Sequence, residues 1–240
     1  RNAVEACGGE GELEIFAATD RQTSLAEEIT RLRAEGGPTP EDTIDPLSAL
    51  ALLHQEAGDH ALAIAAFEQA RHVTRIHRGL ATVNEALLLR QQIRSEEALG
   101  RHERVWELEQ DMLTIARKHH DDIRTVRIFR DLADDRMDVL RRYRAGEMPP
   151  EIALGCYYGA ARPRYDETRG KRSPETRLDI VPEPGSCLSG SRAAVIARLT
   201  WEILMYYADA IEVIVKKGDY ASEELRDLER QALRLATYRS

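Results

Sequence analysis

Four groups of side chains in this sequence are of types that could do chemistry. His119-His120-Asp121-Asp122 holds metal-ligating types, but consecutive residues point in diverging directions, whereas ligands on a helix recur at i, i+3 or i+4. A solvated turn with an Asp capping the next helix suits the run better. His72 and His77 are five apart, share no helical face and read as surface residues. Asp131, Asp134, Asp135 and Asp138 do recur at helical spacing. Paired carboxylates serve general acid–base work when burial or a like charge raises one pKa. Here Arg127, Arg130, Arg136, Arg141 and Arg142 lie within a turn of them, so the row reads as an exposed, ion-paired face. Cys156 beside Tyr157 is a nucleophile type with no histidine partner evident in sequence, and a lone cysteine is usually structural. The sequence has no GxSxG, no glycine-rich phosphate loop and no HExxH. It is therefore read as non-enzymatic, with no catalytic residue, no metal site and no cofactor.

The elements that must position any site are helices. Aromatics are scarce at 5%, while Ala, Leu, Glu and Arg, all good helix formers, abound. A net charge of −8 argues against a dedicated nucleic-acid binder, which needs a basic surface. Lys118, Lys171, Lys216 and Lys217 are the only lysines, so the cationic residues are mostly arginines, suited to bidentate recognition of carboxylates. The most apolar stretch, Ala193 to Val215, carries Arg198, Glu202, Asp209 and Glu212 on one face, which predicts a core helix with one wet edge and no membrane insertion. No signal peptide or transit segment is visible.

Along the chain, residues 1–40 form an N-terminal helical segment with a break near Thr19–Asp20, then a linker at Gly36-Gly37-Pro38-Thr39-Pro40. Asp45-Pro46 is expected to open the next helix, Asp as cap and Pro at the first position. Leu47, Leu50, Ala51 and Leu53 share one helical face ending at Gly58-Asp59, and Ala63, Ile64, Phe67 and Ala70 share the next. Two helices joined by so short a turn pack antiparallel. Residues 41–146 continue the scheme. A helix from about Gly79 to Leu99 carries Leu80, Val83, Leu87 and Ile93; a partner after Gly100 carries Val105, Trp106, Leu108, Met112, Leu113 and Ile115; a third runs from Ile123 to Ala145. Residues 147–190 lack helical period, and residues 191–240 supply a closing helix pair around Gly218-Asp219, with Leu225, Leu228, Ala232 and Leu235.

The stretch Ile44–His77 resembles the tetratricopeptide repeat family. Leu47 takes its first large position, Leu50-Ala51 its Leu-Gly pair, Gly58-Asp59 its turn, and Ala63, Phe67 and Ala70 its second-helix positions. The resemblance implies an all-α solenoid of antiparallel helix-pair repeats, about four pairs with one long irregular loop, whose first helices line a concave, peptide-holding face. Gly58 to Gly100 exceeds the family period by eight residues, which places two extra turns in the second unit's first helix. The units from Gly79 onward also look like a group of bacterial repeat proteins, often exported, that share the Gly155-Cys156-Tyr157-Tyr158 stretch. That likeness implies a periplasmic or otherwise exported protein, with the cytoplasm as the alternative.

The family often grips a peptide's terminal carboxylate with a Lys and an Asn on the first repeat's inner face. Ser48 and Leu52 occupy those positions here, so the clamp does not carry over. In the second unit the same positions hold Arg90 and Arg94, and in the third the first holds Arg136. These three guanidinium groups form either a lane gripping carboxylate or phosphate, or a set of local ion pairs. Gln55 on the first repeat, and Tyr157 and Tyr158 in the aromatic, basic loop, are grouped with them as partner-contacting residues. Cys156 and Cys187 bracket that loop, as a disulfide worth about 3–4 kcal/mol by loop closure, or as two unrelated buried thiols. Three readings of function follow: a protein- or peptide-binding adaptor; a structural subunit of a homo-oligomer or larger envelope complex, with Trp106, Trp201, Tyr206 and Tyr207 at its interface; and last, an enzyme using Cys156 or the Asp131–Asp138 row.

Overall fold

The computed structural model describes residues 9–150, 152, 192–219 and 222–237, with side chains from residue 20 onward. The described residues are mostly helical and contain no strand. Helix α1 spans Gly9–Gly36, a 3-10 turn covers Glu41–Thr43, and α2 spans Ile44–Glu56, α3 His60–Arg78, α4 Val83–Ala98 and α5 His102–Lys118. Helices α6 (Arg124–Arg144), α7 (Arg192–Lys216) and α8 (Glu223–Thr237) follow. The chain divides into two compact units, one ending at Ile115 and one beginning at Ala116. No helix among the described residues is long and apolar enough to cross a membrane.

In the first unit α3 packs against both α2 and α4, and α1 packs against α2. The small side chains of Ala51 and Ala63 let α2 and α3 close around Phe67, which is fully buried with them. Ile29 of α1, Ile44 and Leu47 of α2, and Ala70 and Val73 of α3 form the adjoining cluster. Each turn after α2 and α4 is built alike. Gly58 (φ +83°) and Gly100 (φ +69°) take the left-handed conformation that ends a helix. The next amide then reaches back five residues: Asp59 N–H donates to His54 O at 2.8 Å and Arg101 N–H to Glu96 O at 2.9 Å. The same back-bonding follows Gly146 and Gly218, so glycine punctuation in the sequence marks real helix ends.

The second unit is a set of neighbours running in opposite directions. Phe129, Arg136 and Tyr143 of α6 lie near Asp209, Glu202 and Arg192 of α7 respectively, so one helix ascends as the other descends. Helix α8 joins through Tyr207, whose hydroxyl donates to Gln231 Oε1 at 2.9 Å, and through Asp227, which pairs with Arg130 at 2.8 Å. Helix α6 is preceded by Ile123, so Asp122 is not its cap residue, but its Oδ1 accepts the Arg124 N–H at 2.9 Å from the turn before it. The wet edge of α7 is real but partnered, since Glu202 meets Arg136, Asp209 meets Arg117 and Glu212 meets Lys216.

Several expectations need correction. Helix α1 runs without a break through Thr19–Asp20. Helix α2 begins at Ile44, so Asp45 is not its cap, and Pro46 sits within the first turn, where its missing N–H costs nothing. The extra length between Gly58 and Gly100 does not lengthen α4, which has 16 residues; α3 has 19 and the loop at 79–82 takes the rest. Leu80 lies in that loop and is 72% exposed, and Leu87 also faces out, while Val83, Ala86, Leu89 and Ile93 form the buried side of α4. Tyr206 and Tyr207 are core residues of the second unit, Trp106 is half-buried and Trp201 is exposed.

Candidate functional site

The first helices of the two N-terminal pairs lie side by side. Gln55 of α2 joins them directly: its Nε2 donates to Gln91 O of α4 at 3.1 Å and to Ser95 Oγ at 2.8 Å. Gln55 was expected to meet a partner, and here it fastens one helix of the protein to another. Its amide fixes which side of α2 faces α4. Ser48 and Leu52 precede Gln55 by seven and three residues and share that side. On α4 the residues beside the junction are Leu87, Arg90, Gln91 and Arg94, spaced by three, one and three, a single helical arc.

This surface is apolar and cationic together. Leu52 and Leu87 are 40% and 37% exposed, large side chains left at the surface on adjacent helices. Arg94 is exposed and donates to Gln91 Oε1 at 3.3 Å, and Arg90 is half-buried with interactions of its own. Ser48 turns its hydroxyl inward to Ile44 O at 2.7 Å, which removes it as a ligand donor. Arg136 is not exposed as Arg94 is. It belongs to the second unit, is 8% exposed, and places Nε 3.8 Å from Glu202 Oε2. Burial beside a carboxylate makes it a helix-pairing residue.

What holds α4 in place escaped the sequence reading. Glu85, 1% exposed, receives Arg71 at 3.3 Å and Arg75 from α3, and its second oxygen accepts the Ala81 N–H at 3.0 Å. Thr82 Oγ1 accepts the Glu85 N–H at 3.3 Å, a side-chain N-cap that starts the helix. The Thr82-x-x-Glu85 spacing is the signal that could have located this end. Burial pushes the Glu85 carboxyl up, but Arg75, the Ala81 amide and Arg71 outweigh it and leave the group below its ordinary value. Burial and the neighbouring Arg75 lower the Arg71 guanidinium, which Glu85 partly restores. Arg71 also donates to Gln92 at 2.9 Å, so the α3–α4 contact is a polar seam with a fixed register.

The other chemical groupings are local. Asp138 pairs with Arg141 at 3.1 Å, and Asp131, Asp134 and Asp135 each have interactions of their own. Among the described residues no group of three or more His, Cys, Asp or Glu is placed to hold a metal. Cys7, Cys156, Cys187, Tyr157 and Tyr158 lie outside the described residues, and with them the bridge and the aromatic loop contacts. Compared with models of known families the chain matches none, and no curated protein is significantly similar to it.

Proposed function

We propose that this protein is a non-enzymatic adaptor that holds a segment of another protein on the α2–α4 face of its first unit, within a tetratricopeptide-like array of about four helix pairs. The observation that carries the reading is the Gln55 junction, which sets two first helices side by side with Leu52 and Leu87 exposed beside Arg90 and Arg94. Apolar anchors flanked by guanidinium groups suit a segment that alternates apolar and acidic side chains, without a cofactor. Selection of peptides from a random displayed library on the full chain tests it. The expected winners are apolar and acidic, and Arg90→Glu with Arg94→Glu weakens them at least tenfold with helicity unchanged. Winners without acidic residues, or binding indifferent to the double reversal, would reject the reading.

A second reading, a structural subunit that assembles with itself, is favoured by Trp201, 54% exposed on α7. Light scattering that returns a monomer at high concentration removes it. Export belongs to the proposal as well. One titratable thiol per denatured, unreduced chain supports a Cys156–Cys187 bridge and an oxidising compartment, whereas three return the protein to the cytoplasm.

A further inference from the structure

The second unit carries a small open cleft, about 230 Å³, at the turn between α5 and α6 and the last turns of α7. It shares no residue with the α2–α4 face. Arg117, His120 and Lys216 line it with Asp209 and Glu212, and the buried Phe129 lies at its base. The charges are paired but not saturated. Arg117 Nε and Nη2 both donate to Asp209 Oδ2, at 3.1 Å each, and Lys216 meets Glu212 Oε1. His120 Nδ1 lies 3.3 Å from Arg117 O. Among the described residues Arg117 Nη1, His120 Nε2, Asp209 Oδ1 and Glu212 Oε2 take no further hydrogen bond. Donors and acceptors therefore face the same small volume, over an apolar base.

We propose that this cleft binds a small zwitterion of the α-amino-acid class, its carboxylate taken by Arg117 and Lys216 and its ammonium by Asp209 and Glu212. A simple anion would meet the two carboxylates, and a simple cation would meet Arg117 and Lys216. Only a ligand carrying both signs offers each wall its complement. Exposed ion pairs contribute little stability of their own, so exchanging partners with a ligand costs little. The volume is below that of a typical drug-sized pocket and suits a ligand of few atoms.

The test is NMR titration of the full chain with L-alanine, following the Arg117 Nε–H and the amides of residues 117–122, with acetate and methylammonium at matched ionic strength as controls. L-alanine is expected to give saturable shifts with a dissociation constant of about 1 mM, the range open to so small a ligand. Each control should bind at least fivefold more weakly. Arg117→Gln and Glu212→Gln, both at exposed side chains, should each weaken L-alanine at least fivefold with the circular dichroism spectrum retained. The assignment is overturned if either control matches L-alanine, if no shift saturates by about 100 mM, or if Glu212→Gln binds L-alanine as the parent does.

Discussion

Arg71 on α3 and Glu85 on α4 meet at 3.3 Å with side chains only 8% and 1% exposed. Their contact pins the start of α4, and with it the register of the α2–α4 face. Ala81, just before the cap, holds φ at +57°, a left-handed conformation unusual for a residue with a side chain, and Glu85 accepts its N–H. The carboxylate thus secures the loop and the helix that present Arg90 and Arg94.

Glu85→Gln should destabilise the first unit by about 3–5 kcal/mol, because removing one partner leaves Arg71 buried without its counter-charge. Arg71→Met alone should cost a similar amount, and the double variant Arg71→Met, Glu85→Gln distinctly less than the two added. Urea unfolding of the four proteins checks this. Additive losses would show that the pair is not coupled.

The same carboxylate predicts an acid limb. Its folded value lies below the ordinary 4.5, so its contribution is complete above about that pH and is lost as pH falls through the lower folded value. The urea midpoint of the parent should therefore fall more steeply below pH 4.5 than that of Glu85→Gln. Parallel curves would contradict the assignment.

At the turns, Gly58→Ala and Gly100→Ala should each cost about 1–2 kcal/mol from backbone strain alone, since a Cβ at either position meets nothing within 4 Å. Thermal unfolding of the two variants tests it, and a neutral result would mean the left-handed helix ends are not required.

Tyr207 should titrate late. Burial, then the Asp134 carboxylate, push its phenol up to about 12 from 10.0. The raised value means its stabilisation is intact below pH 10.0 and fades as pH climbs towards 12. Ultraviolet titration of the folded protein should show a late phenolate step that Tyr207→Phe removes, and its persistence in that variant would place the late phenol elsewhere.

Local signals in the sequence carried most of the fold and little of the site. Gly58, Gly100, Gly146 and Gly218 end helices because positive φ suits glycine, a constraint visible one residue at a time. Leu47, Ala51, Ala63 and Phe67 were legible through their spacing. Leu80 misled because an apolar residue continued the periodicity of α4 backward past the cap at Thr82. Arg71–Glu85, Gln55–Ser95 and Arg136–Glu202 were not legible, since each joins helices whose relative rotation no local pattern encodes. The last of these withdrew Arg136 from the expected arginine lane.

The most direct test of the adaptor reading is photocrosslinking from Leu52 and Leu87, with Leu233, 65% exposed in the second unit, as the control position. In extract of the host cell, probes at 52 and 87 should trap the same protein, the probe at 233 should not, and Arg90→Glu with Arg94→Glu should abolish the adduct. Equal trapping at all three positions, or an adduct untouched by the charge reversal, would contradict the account.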